Sequence, residues 1–132
     1  MQVFFILLDT GGPIACGDSL LSVGSGVPKT GDVAKDISGA LKKLFSYKTR
    51  TVGGMYNPLY RSNIKVDTVK FDQKTGLITV RLTGKYVQPD DPCDNTRVRD
   101  MVWYTVRQYP EIKSTNIYLN SYPFGDKLSN GK

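Results

Sequence analysis

The chain contains no histidine. The side chain that most often acts as general base near neutral pH is therefore missing. It has only two cysteines, Cys16 and Cys93. A cysteine nucleophile would lack its usual activating partner. Two thiols with scattered carboxylates and no imidazole do not form a zinc ligand set either. No metal, no cofactor and no catalytic residue is expected. Long hydrophobic runs are absent too: nothing approaches the ~20 apolar residues of a membrane span. Val3-Phe4-Phe5-Ile6-Leu7-Leu8 is a short apolar run with no basic residue ahead of it, so it does not read as a signal peptide. Membrane attachment is expected only through an anchor outside this chain.

What is present describes an ordinary globular domain. A length of 132 residues suits one domain, 1–132, with its own core. A hydrophobic content of 39% and a charged content of 23% argue against disorder. The net charge of +6 suits an acidic protein partner, an anionic envelope polymer or nucleic acid, and by itself selects none of them. The two cysteines permit one bridge, which would close a loop of roughly 80 residues worth about 4 kcal/mol in the chain-entropy model. The alternative is two reduced thiols packed as small hydrophobes. Both positions border Gly/Pro loops rather than lying inside apolar runs, which favours the bridge and an oxidising compartment.

The pattern predicts an α+β fold in the order β-β-α-β-β-α-β, a small mixed sheet packed against two amphipathic helices. Residues 3–8 read as a strand buried on both faces, and Leu20 to Val23 as a weaker strand. Asp32 is the expected N-cap of a first helix whose buried stripe is Val33, Ile37, Leu41, Leu44 and Phe45. Residues 46–63, with Gly53-Gly54 and Asn57-Pro58, read as an irregular connection. Ile64 to Phe71 and Leu77 to Val87 form a hairpin, with Gly76 suited to a positive φ in its turn. Asp94 or Asn95 should cap a second helix. Its stripe is Val98, Met101, Val102, Thr105, Val106 and Tyr109, and Pro110 should stop it. Asn116 to Asn120 is the last expected strand, and residues 1–2 and 126–132 are expected to fray.

These residues together resemble a known family. Ile14-Ala15-Cys16-Gly17-Asp18-Ser19-Leu20-Leu21-Ser22-Val23 is similar to the opening Cys-Gly-Asp signature of the GerMN domain, the sporulation and spore germination domain of bacterial envelope proteins. Val27-Pro28-Lys29-Thr30 resembles its lead into the first helix, and Leu59 to Leu82 its central strands. Cys93-Asp94-Asn95-Thr96-Arg97 with Thr105 and Gln108-Tyr109 resembles its second helix, and Ile117-Tyr118-Leu119-Asn120 its closing strand. Ser121 stands where that family commonly has glycine, and the 47–61 connection departs from it. The resemblance implies a fold related to the ring-building motifs of sporulation machinery. It also implies an extracytoplasmic, often membrane-anchored host protein with no enzymatic activity and a role in envelope assembly. It brings no catalytic residues to carry over.

Several motifs invite chemistry. Leu7-Leu8-Asp9-Thr10-Gly11 matches the active loop of dimeric aspartic proteases, where two carboxylates share a proton. Too little chain precedes it, however, and a strand-ending turn accounts for the same residues. Asp90-Asp91 with Asp94 could hold calcium, but three acids ahead of a helix more often form a solvated capping loop. Gly24-Ser25-Gly26 lacks the lysine of a phosphate loop and reads as a connector. Lys42, Lys43, Lys48, Arg50 and Arg61, interleaved with Tyr47, Tyr56 and Tyr60, could serve an anionic polymer or nucleic acid. No recognisable nucleic-acid motif accompanies them, and a solvated basic face is the better account of them. Arg99, Trp103 and Arg107 lie at i, i+4 and i+8 on the second helix, away from its apolar stripe. They are the partner-binding candidates, because Trp and Arg concentrate where proteins dock; a covering loop such as 46–63 is the alternative. The leading expectation is a non-catalytic extracytoplasmic interaction domain with a protein partner in the cell envelope, self-association included and no small-molecule substrate. Binding of anionic envelope polymer or nucleic acid is the alternative. Proteolysis through Asp9-Thr10-Gly11 is the remote one.

Overall fold

The computed structural model of the chain describes residues 1–14, 16–87 and 91–125. The expected fraying of 126–132 and the Asp90 part of the acidic loop lie outside the described residues. The strands are β1 (Gln2–Leu7), β2 (Ser19–Gly24), β3 (Thr51–Val52), β4 (Met55–Tyr56), β5 (Asn63–Asp72), β6 (Leu77–Lys85), β7 (Ser114–Leu119) and β8 (Tyr122–Pro123). The helices are α1 (Val33–Ser46) and α2 (Asp94–Val106). The fold is α+β, and the expected order holds apart from three added two-residue strands, β3, β4 and β8. It contains two four-stranded sheets where a single sheet was expected, ordered β2-β1-β4-β3 and β5-β6-β7-β8. The extra strands have a local cause. Gly53 and Gly54 both take positive φ and turn the 46–63 connection into a minimal hairpin, which β4 joins to β1 through Ile6 and Tyr56. The second sheet is the mixed one: β6 pairs antiparallel with β5 and parallel with β7, and α2 lies in the crossover between β6 and β7.

Both apolar stripes fall where the periodicity put them. Val33, Ile37, Leu41, Leu44 and Phe45 are buried on α1, and Val98, Met101, Val102, Thr105 and Val106 on α2. β1 is covered from both sides. Phe5 meets the Tyr47 ring edge-on at 5.1 Å, while Phe4 lies 6.0 Å from Tyr104 of α2. Asp32 caps α1 by accepting from the Lys35 amide at 3.2 Å. One turn on, Asp36 is buried. It accepts from the Thr30 amide and hydroxyl, the Gly31 amide and the Tyr109 hydroxyl. Burial pushes its carboxyl up, but these donors outweigh that and hold it at about 2.

Three expectations need correction. Neither Asp94 nor Asn95 caps α2. Cys93 holds that position without a side-chain bond of its own, and the Asp91 carboxylate accepts its amide at 2.9 Å. α2 stops at Val106, ahead of Pro110, and Tyr109 is buried beyond the helix end on Asp36. Residues 1–2 are bonded in. The Met1 amino group donates to the Val27 carbonyl at 2.8 Å, and Gln2 opens β1 with its backbone bonded in both directions to the Gln108 side chain.

The β7–β8 turn explains the odd serine. Asn120 and Ser121 form a two-residue connection between Leu119 and Tyr122, and both have positive φ, 50° and 73°. Such a turn favours Asn followed by Gly. Asn120 also accepts from the Gly84 amide and donates to the Gly84 carbonyl at 2.7 Å. Gly84 itself cannot carry a side chain, since a Cβ there would lie 2.1 Å from the Asn63 carbonyl oxygen across β5. Ser121→Gly should therefore stabilise the domain by about 1 kcal/mol. Urea unfolding measures this, and an unchanged or lower midpoint would refute the strain argument.

Candidate functional site

The start of α2 is fastened to the loop ahead of β2 twice. Cys16 and Cys93 form a disulfide with Cα atoms 6.1 Å apart. Beside it, Arg97 is buried among three carboxylates: Nε donates to Asp18 at 2.6 Å, and Nη1 donates to Asp91 and to Asp94, each at 2.9 Å. Asp18 uses its other oxygen to accept the Asp9 amide at 3.0 Å, and Asp94 accepts the Tyr56 hydroxyl at 2.6 Å. One helix turn thus holds the β1–β2 connection through the Arg97 guanidinium and β4 through the Asp94 carboxylate. Burial would raise the Asp18 carboxyl, yet Arg97 and the Asp9 amide bring it below its ordinary value. Asp91 is lowered by the Cys93 amide and by Arg97. Burial and the neighbouring Asp94 raise the Tyr56 hydroxyl, so it stays a neutral donor.

A cleft of about 490 Å³ opens over this cluster. Leu7, Leu8 and Asp9 form one wall, and Arg50, Tyr56, Tyr60 and Arg61 another. The Arg50 guanidinium lies 5.8 Å from the Tyr56 ring centre, and that of Arg61 lies 5.3 Å from the Tyr60 ring. The basic set read from the sequence therefore divides. Arg50 and Arg61 face this cleft, Lys42 and Lys48 line a separate groove beside β5, and the Lys48 ammonium donates to the Ser62 carbonyl. The Asp9-Thr10-Gly11 loop is a turn. Asp9 and Gly11 take positive φ, the Thr10 hydroxyl bonds the Ser19 hydroxyl at 2.5 Å, and the Gly11 amide donates to Gly17. Asp91 and Asp94, the acids considered for calcium, are engaged with Arg97. Among the described residues no group of three or more His, Cys, Asp or Glu is arranged to hold a metal.

The outer face of α2 carries the other candidate. Trp103 is 37% exposed. The Arg107 guanidinium lies 4.5 Å from its ring centre, and Tyr104 meets the ring edge-on at 5.3 Å. Trp103 and Arg99 line a groove of about 330 Å³ whose other walls are Ile117, Tyr118, Pro123 and Phe124. The 46–63 connection is not among the groove's walls. Among the described residues Arg99 makes a loose ion pair with Asp100 at 3.6 Å. The structure thus brings Arg99, Trp103 and Arg107 to one surface, and it places Cys16 and Cys93 in a bond at the other end of the helix.

The sequence reading missed the Arg97 cluster, although a signal for it exists. Continuing the α2 stripe backwards from Val98 and Met101 reaches Asp94 and Arg97, so two charged residues fall where the helix must be buried. Such a pair demands partners. No helix among the described residues is long and apolar enough to cross a membrane. Compared with protein-family models, curated proteins and solved structures, the chain matches none.

Two measurements test the cluster. Arg97→Ala leaves Asp18 and Asp94 buried without their cation and should lower stability by about 3–5 kcal/mol, whereas Arg99→Ala should change it by less than about 0.5 kcal/mol. Comparable effects of the two would show that the cluster holds nothing. The carboxyls of Asp18, Asp36 and Asp91 lie below their ordinary values in the folded chain. Their contribution is therefore complete above the unfolded value near 4 and is lost as pH falls through it towards 2. With no histidine to titrate, urea midpoints should be level from about pH 5 to about pH 7 and drop steeply below about pH 4. A slope between pH 5 and 7 would contradict this assignment.

Proposed function

We propose that this chain is a non-catalytic interaction domain of the GerMN type. It works outside the cytoplasm in a bacterial cell envelope and docks a protein partner on the outer face of α2. The observation that carries the reading is the exposed Trp103, held by the Arg107 guanidinium beside a groove walled by β7 and β8. An indole is costly to leave in water, and a stacked arginine fixes it while adding charge at the rim. The disulfide supports the extracytoplasmic part, because such bonds persist in oxidising compartments. The type rests on the resemblance of the Cys-Gly-Asp and helix-two segments to that family's pattern.

A second reading has its own support in the cleft over Arg97. Arg50 and Arg61, stacked on tyrosines, offer cations to an anionic envelope polymer. Binding of that kind weakens steeply as salt rises.

The chain has a single tryptophan, so its emission reports directly on the proposed face. Titration with solubilised envelope protein should shift Trp103 emission to the blue. Trp103→Ala and Arg107→Glu should each weaken capture of the same partner band at least tenfold, with unfolding midpoints close to wild type. Unchanged emission together with unchanged capture would overturn the reading. Loss of stability without loss of capture would make Trp103 a packing residue.

A further inference from the structure

Sheet edges are the other place where this fold meets its surroundings, and among the described residues three of the four edges are blunted. β3 and β8 are two residues long. β5 is long, but it carries Lys65, Asp67, Lys70 and Asp72, and its register breaks in a bulge between Val66 and Thr68. Charges and bulges of this kind keep an edge from pairing with another chain. β2 has neither. Ser19-Leu20-Leu21-Ser22-Val23-Gly24 holds no charge and no proline, and it pairs with β1 in unbroken register from Gln2↔Gly24 to Leu7↔Ser19. Among the described residues no strand lies beyond it.

The strand is also fixed at both ends. Below it, Asp18 is locked to Arg97; above it, the Ser25 amide and hydroxyl both donate to the Met1 carbonyl, at 3.0 and 2.6 Å. Leu21, opposite Phe5, is 41% exposed, and Leu7 on the same face is 37% exposed. An edge held straight, uncharged and apolar on one face is a template for strand addition.

We infer that β2 pairs antiparallel with β2 of a second copy, joining two β2-β1-β4-β3 sheets into one continuous sheet about a two-fold axis. The copy is favoured over a foreign strand for two reasons. Little on β2 selects a foreign sequence, since the strand carries no charge and only Ser22 borders a groove, the one beside Gln2 and Phe4. A two-fold axis makes an edge complementary to itself and sets the Leu21 side chains of both copies on one face. In a chain of net charge +6, β2 can meet its own copy without opposing like charges on the paired strands. A single six-residue edge is a small contact beside the ~1,600 Å² of a stable complex, so the association is weak. This inference rests on β2 alone and is independent of the Trp103 face.

Sedimentation of the full chain from about 10 µM to about 1 mM should show a reversible monomer–dimer equilibrium. Leu21→Lys and Leu21→Glu, both at an exposed position, should each weaken the dimer at least tenfold. Mixing the two variants should restore it as a heterodimer, because opposite charges then face each other. Trp103→Ala should leave it unchanged. A wild type that is monomeric at the highest concentration, variants that dimerise like wild type, a mixture without recovery, or a dimer lost with Trp103→Ala would each overturn the inference. Should the variants fold poorly, amide exchange of the wild type decides. Exchange from Leu20 to Gly24 should slow with concentration, while β5 exchange should not; equal behaviour of both edges would also overturn it.

Discussion

The Arg97 guanidinium is the constraint on which the arrangement depends. It is buried, and one positive charge faces three negative ones. A buried cation in that position cannot be left half-paired, so Asp18, Asp91 and Asp94 must all arrive together. Asp18 comes from the connection ahead of β2, Asp91 from the approach to α2, and Asp94 from its first turn. Through Asp94 and Tyr56 the short β4 strand is drawn in as well. Replacing the cluster by apolar groups could leave stability unchanged; what the ions add is register, because only one placement of β1, β2, β4 and α2 satisfies every oxygen. The disulfide acts differently. It restricts the unfolded chain and joins positions 77 apart, but it tolerates small shifts that the bonds to Arg97 do not.

Much of the fold was legible because it follows from period. The α1 stripe, the α2 stripe and the alternation of Ile78, Val80 and Leu82 each name a buried face, and each is buried. What escaped was set by contacts distant in sequence. The β3–β4 hairpin is too short for any period, and its place in the sheet comes from pairing of Tyr56 with Ile6 of β1. Asp94 looks like a cap from its neighbours alone. It is diverted because Arg97 and Tyr56 offer it stronger partners than a free helix amide would. The Cys16–Cys93 pairing was favoured from the loops around each residue, while the ionic cluster next to it went unread.

The surface residues divide in the same way. The spacing of Arg99, Trp103 and Arg107 placed them on one side of α2, and period suffices for that. The groove that Arg99 and Trp103 share with Ile117 and Phe124 depends on where β7 and β8 pack, which no local pattern reveals. The basic-aromatic set failed as a single surface for the converse reason. Residues close in sequence between α1 and β5 are turned to different sides by the β3–β4 hairpin, and only Arg50, Tyr56, Tyr60 and Arg61 converge on the cleft.

α2 therefore does two kinds of work along one helix. Its first turn is an internal anchor: charged, buried and bonded to three segments. Its last turns present Trp103 and Arg107 to solvent while Val102 and Val106 stay in the core. A rigid first turn fixes the azimuth of the whole helix, and with it the direction in which the indole points. A surface aromatic is a useful contact only if its orientation is settled before a partner arrives, because ordering it on binding would consume part of the affinity. The buried ions at the first turn and the apolar stripe behind them together fix the side of α2 on which Trp103 lies.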